Sequence, residues 1–82
     1  MSEEFKQLMM FHVLLCETVT PNARYAAVDR DGMLWWYQDE PLSDVDGMWI
    51  NSSTYRGGTI DTGGIVTKLR HCEFWRETLI EL

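Results

Sequence analysis

Residues 24–38 constrain this chain more than any other stretch. Arg24, Tyr25, Ala26, Ala27 and Val28 lead into Asp29-Arg30-Asp31-Gly32, and Met33, Leu34, Trp35, Trp36, Tyr37 and Gln38 follow. Two β-prone runs flank a turn sequence, which is a hairpin signal. Asp29 suits the first position of a type I turn. Gly32 suits its end, where the backbone needs positive φ that glycine adopts without strain. The pattern is the three-residue hairpin loop closed by a glycine bulge. In that register Ala26 pairs with Trp36, Ala27 with Trp35 and Val28 with Leu34. Small residues then face large ones, so the indoles can lie across the neighbouring strand. A two-residue turn at Asp31-Gly32 would slip the pairing by one and exchange faces. The first register is preferable because it collects Ala26, Val28, Leu34 and Trp36 on one wholly apolar face. The other face carries Tyr25, Ala27, Asp29, Met33, Trp35 and Tyr37.

Around the hairpin the elements are less sharply marked. In residues 3–18, Phe5, Leu8, Met9, His12, Val13 and Cys16 recur at helical spacing, with Ser2 placed to cap the start. Met10, Phe11, Leu14 and Leu15 fill the opposite side. Such a helix is either buried all round or offers a second apolar face to a partner. Residues 11–16 also read as a buried strand; length and the Met, Leu and Glu content favour helix. Thr20-Pro21-Asn22 ends the segment. Beyond Pro41 a loop leads to Met48, Trp49 and Ile50. Gly57-Gly58 and Gly63-Gly64 bracket a short predicted strand at residues 59–62. In the tail, Ile65, Val66 and Thr67 favour a strand, although Leu69, Cys72, Trp75, Leu79 and Leu82 also fit a helical stripe. The expectation is a single α+β domain over residues 1–82: a small antiparallel sheet of about four strands with one N-terminal helix.

Length and charge narrow the function. At 82 residues the chain is close to the size at which one core barely suffices. Its formal charge of −6 argues against direct binding of nucleic acid, which needs clustered Lys and Arg. That charge keeps a small domain soluble and is compatible with a protein partner that has a basic surface. The start, Met1-Ser2-Glu3-Glu4, is acidic where an export signal would be basic, and His12 interrupts the apolar run. No stretch is long enough to span a bilayer, and the two cysteines read as reduced thiols. A cytoplasmic location without membrane contact is expected.

No catalytic or metal motif emerges. Ile60-Asp61-Thr62-Gly63 matches the hydrophobic-Asp-Thr-Gly string of retroviral-type aspartic proteases. That chemistry needs two carboxylates sharing a proton, and the residues that follow leave no room for the required loop, so the string reads as a turn. His12 and Cys16 lie one helical turn apart, but His71 and Cys72 are adjacent, not spaced as paired zinc ligands. Neither thiol has an orienting triad, and the glycine pairs lack the Lys-Ser/Thr of a phosphate loop. No enzyme, metal or cofactor is expected.

What remains is an aromatic surplus of four Trp, three Tyr and three Phe. Trp35 and Trp36 must point to opposite faces of the hairpin, so one is core and the other is available, with Tyr37 and Met33 beside it. Aromatic residues and Met dominate interface centres. The expected partner-binding residues are therefore Tyr25, Met33, Trp35 and Tyr37. The acidic residues Asp39, Glu40, Asp44 and Asp46 of the next loop join them. The competing view is that the N-terminal helix covers this face and everything is core.

The order of Val28-Asp29-Arg30-Asp31-Gly32, the aromatic strand before Pro41, the isolated Trp49 and the closing Trp75-Arg76-Glu77-Thr78-Leu79 resembles small accessory proteins of tailed bacteriophages and prophages. The likeness covers residues 24–80 and transfers no catalytic residue. It implies a phage origin and no established activity. With the size, charge and aromatic surplus it leads to the expectation of a non-enzymatic binding protein that inhibits or modulates a host protein in the host cytoplasm, such as a defence or DNA-repair factor. Two alternatives stand beside it: a self-assembling homodimer, and a DNA mimic whose four loop carboxylates replace phosphates.

Overall fold

The computed structural model describes residues 1–44, 46–50 and 63–82. The predicted strand at residues 59–62 and the Asp61-Thr62 pair lie outside them. Helix α1 (Glu3–Leu15) is followed by β1 (Tyr25–Val28), β2 (Met33–Tyr37), β3 (Leu42–Ser43), β4 (Trp49–Ile50), β5 (Gly63–Lys68), a 3-10 turn at Trp75–Glu77 and β6 (Ile80–Glu81). Four strands form an antiparallel sheet in the order β5-β2-β1-β6, and β3 and β4 form a separate two-stranded ribbon. The fold is a small α+β domain, with one α-helix among the described residues, as expected from the sequence.

The hairpin adopts the predicted register: Ala26 opposite Trp36, Ala27 opposite Trp35, Val28 opposite Leu34. The Asp29 carbonyl accepts from the Gly32 N–H at 2.9 Å, the Asp29 N–H donates to the Met33 carbonyl at 2.9 Å, and Gly32 has φ +95°. The Asp31 carboxylate also takes the Met33 N–H at 3.0 Å. The tip is tied down through its backbone, although the Arg30 and Asp31 side chains are exposed. The Arg30 N–H donates to the Gly47 carbonyl (2.8 Å), Leu69 N–H to Gly32 (2.7 Å) and Cys72 N–H to Arg30 (2.9 Å). A side chain at position 32 would put its Cβ 2.6 Å from the Leu69 carbonyl oxygen and closer still to that of Arg70. Only glycine lets the turn and this crossing segment approach so closely.

Helix α1 starts where Ser2 Oγ accepts the Phe5 N–H at 3.2 Å, with Glu3 and Glu4 in its first turn. It ends at Leu15, three residues short of the predicted segment, because Cys16 is already extended. Its inner side packs Met9 and Val13 against Ala26, Val28, Leu34, Cys72, Trp75 and Ile80, with Phe5, Met10, Val19, Trp49, Val66 and Leu69 at the margins. The helix therefore covers the Ala26, Val28 and Leu34 part of the hairpin's apolar face.

In the tail one feature corrects the sequence reading and another decides between its two alternatives. Gly63 and Gly64 belong to β5, opposite Tyr37 and Trp36, where a turn was expected. A Cβ at position 64 would sit 2.8 Å from Trp36 Nε1, so the missing side chain is what lets the indole lie over the edge strand. The helical stripe of residues 69–82 does not form. A polar lock holds this tail instead. Thr78, fully buried, accepts the Val28 N–H at 2.9 Å and donates to the Trp75 carbonyl at 2.6 Å. The Trp49 indole N–H is shared between the carbonyls of Val28 (3.0 Å) and Trp75 (3.2 Å). The Trp49 and Trp75 rings meet edge to face at 6.0 Å. Trp49, Trp75 and Thr78 thus tie the tail and the ribbon to β1.

Candidate functional site

The second face of the hairpin is largely enclosed. Ala27 is fully buried, Tyr37 keeps 3% of its surface and Asp29 7%. Tyr25, Met33 and Trp35 are half-buried. Of the four aromatic and Met residues expected to meet a partner, Tyr37 is part of the interior and none is fully exposed. Asp29 is held by the Trp49 backbone N–H at 2.8 Å. Burial raises its carboxyl above the ordinary value, and the Asp31 charge adds to this against that hydrogen bond. The Trp35 indole N–H favours the charged carboxylate without closing a hydrogen bond. Burial, with the nearby Asp29 charge, likewise raises the Tyr37 phenol. These are properties of an interior polar cluster.

The acidic residues separate. Asp39, Glu40 and Asp46 are exposed, whereas Asp44 is half-buried where its N–H donates to the Met48 carbonyl at 2.8 Å. Asp46 lines an open cleft of about 300 Å³ with Arg30, Asp31, Gly47, Met48 and His71. A neighbouring cleft of about 370 Å³ is lined by Arg30, Gly47, Glu73, Trp75 and Arg76, with the Arg76 guanidinium 4.9 Å above the Trp75 ring. Both clefts bring charges of opposite sign together.

Among the described residues the two thiols stand in different surroundings. Cys72 is buried, which raises its thiol. Cys16 pairs with the Thr18 hydroxyl at 3.1 Å, a contact that lowers its thiol. Among the described residues no three His, Cys, Asp or Glu side chains come together as a metal site. No described helix is long and apolar enough to cross a membrane.

Among the described residues, the outer side of α1 carries the most exposed large apolar side chains. Leu14 is 79% exposed, Leu15 65% and Phe11 57%, and Leu8 continues the stripe toward the helix start. Leu8, Phe11 and Leu15 are spaced i, i+3 and i+7, so they form one continuous row on the helix. At its Leu8 end the row runs into a largely apolar groove of about 550 Å³ between the helix and the end of β5, lined by Phe5, Leu8, Lys68, Leu69 and Arg70. The crossing of residues 69 and 70 under Gly32 sets the far wall of this groove. The site residues inferred from sequence do not include this row. The signal was present in residues 8–15, where a helix apolar on every side exceeds what one small core can cover.

No protein-family model, curated protein or solved structure matches this chain, so the site stands on its own geometry.

Proposed function

We propose that this chain is a non-enzymatic binding protein that takes a protein partner on the outer face of α1. The observation that carries the reading is the row Leu8, Phe11, Leu14 and Leu15, apolar and solvent-facing in a domain whose core already has Met9 and Val13 from the same helix. Fully covering a large apolar side chain is worth about 1.5–3 kcal/mol, so four such residues in one patch are a strong reason to associate. The likeness of residues 24–80 to phage accessory proteins supports a host factor as the partner, bound and modulated in the host cytoplasm.

The test is affinity purification from host lysate with three baits: the natural chain, Trp35→Ala, and Phe11→Asp/Leu15→Asp. A stoichiometric partner held by the first two and lost by the third is the expected result. Retention by the third bait would move the interface off the helix. Loss with Trp35→Ala, in a bait that still folds, would return it to the hairpin.

A further inference from the structure

Resting on that reading, we infer that the occupant of the α1 face is an amphipathic helix with acidic residues along one border. Its apolar stripe lies on Leu8, Phe11 and Leu15, and its carboxylates face Lys68 and Arg70. Leu8 to Leu15 is two helical turns, about 10 Å, which matches the i, i+3, i+7 anchors by which a helix is read in a groove. Strand addition is the obvious competitor, because β5 is an edge of the sheet. That edge is partly occupied, with Cys16 Sγ 3.9 Å from the Val66 carbonyl oxygen at the end of the same helix.

The charge that matters at this face is local. The chain as a whole is acidic, at −6, and at long range it attracts basic molecules. The groove inverts that preference: its two charged lining residues are Lys68 and Arg70, both exposed at the rim, while Phe5, Leu8 and Leu69 supply the apolar wall. Glu4, one turn before Leu8, and Glu17, two residues after Leu15, flank the row at its two ends in sequence and do not line the groove. A helix bound here meets cations along the β5 side and apolar surface along α1. An acidic border satisfies that arrangement, and a basic one leaves like charges opposed across an interface. Each exposed pair is individually weak, so the two together should separate acidic from basic ligands by about fivefold.

The experiment uses the full chain and two designed peptides of about 18 residues, long enough for helix formation. Both carry leucines at i, i+3, i+4 and i+7; one has glutamates on the flank and the other has lysines. Binding is read by fluorescence anisotropy, with thermal melting to confirm that every variant is folded. The glutamate peptide should bind about fivefold tighter than the lysine peptide, Lys68→Glu/Arg70→Glu should reverse the order, and Phe11→Asp/Leu15→Asp should abolish binding of both. Equal or inverted preference in the natural chain, with loss in Phe11→Asp/Leu15→Asp, overturns the acidic occupant and leaves the helix face as the interface. Failure of both peptides, with a sedimenting dimer that Leu15→Asp dissolves, assigns the face to a second copy of the chain and also overturns it. Peptide binding that survives Phe11→Asp/Leu15→Asp, or a monomer that binds neither peptide, overturns the helix-face reading together with the inference.

Discussion

Among the described residues, two surfaces rich in large apolar side chains have opposite fates. The second face of the hairpin, with Tyr25, Met33, Trp35 and Tyr37, has the residue types of an interface but is half-buried to buried. The outer face of α1, mostly leucine, is open to solvent. Aromatic density marks where a small domain needs bulk, because a few large rings fill more volume than many aliphatic chains. An all-round apolar helix is the better sign of a missing neighbour, since a helix lying on a sheet can bury only one side of itself.

The contrast can be broken most forcefully at Tyr37. If that face is interior, Tyr37→Ala should cost about 3–5 kcal/mol, read as a loss of denaturation midpoint. An unchanged midpoint would make the residue a surface anchor after all. Thr78→Val comes next. It removes the acceptor of the buried Val28 N–H, and equilibrium unfolding should register about 1–3 kcal/mol. A near-zero effect would mean that the tail lock contributes nothing to the hairpin's position.

Asp29 provides a pH test of the same interior. Its carboxyl is raised above 3.8 in the fold, so the folded chain binds more protons than the unfolded one in that range. This group's contribution to stability is therefore complete below pH 3.8 and is lost as pH rises through the raised folded value. Asp29→Asn keeps an oxygen for the Trp49 N–H and should flatten that part of the curve of melting temperature against pH. A curve of unchanged slope would place the carboxylate in contact with water. The smallest effect is expected on the other surface: Leu14→Lys should alter unfolding free energy by no more than about 0.5 kcal/mol. A larger loss in urea titration would show that the outer row is already covered in the isolated chain.

How much could be read beforehand followed the range of the interactions involved. Asp29 and Gly32 encode their turn within four residues, and the alternation of Ala26, Val28, Leu34 and Trp36 then sets the register. That part was legible because its hydrogen bonds and its steric demands are local. Gly64 was misread as a turn residue because its reason lies across the sheet, in the indole of Trp36. Thr78 was noticed only as part of a pattern, since its partner Val28 is fifty residues away. The interface on α1 was half legible. Two apolar sides were visible in residues 5–16, but periodicity alone does not say which side meets the sheet.

By itself, then, the sequence determined an acidic α+β domain built on a hairpin with a defined turn, register and pair of faces. Backbone sterics at Gly32 and the two-residue period of a strand suffice for that. Only the tertiary structure decided which apolar surfaces were covered. Burial depends on what packs across the chain. Met9 and Val13 reach the hairpin's apolar face, the tail lock closes around β1, and Leu8, Phe11, Leu14 and Leu15 are left on the far side of the helix with nothing over them among the described residues.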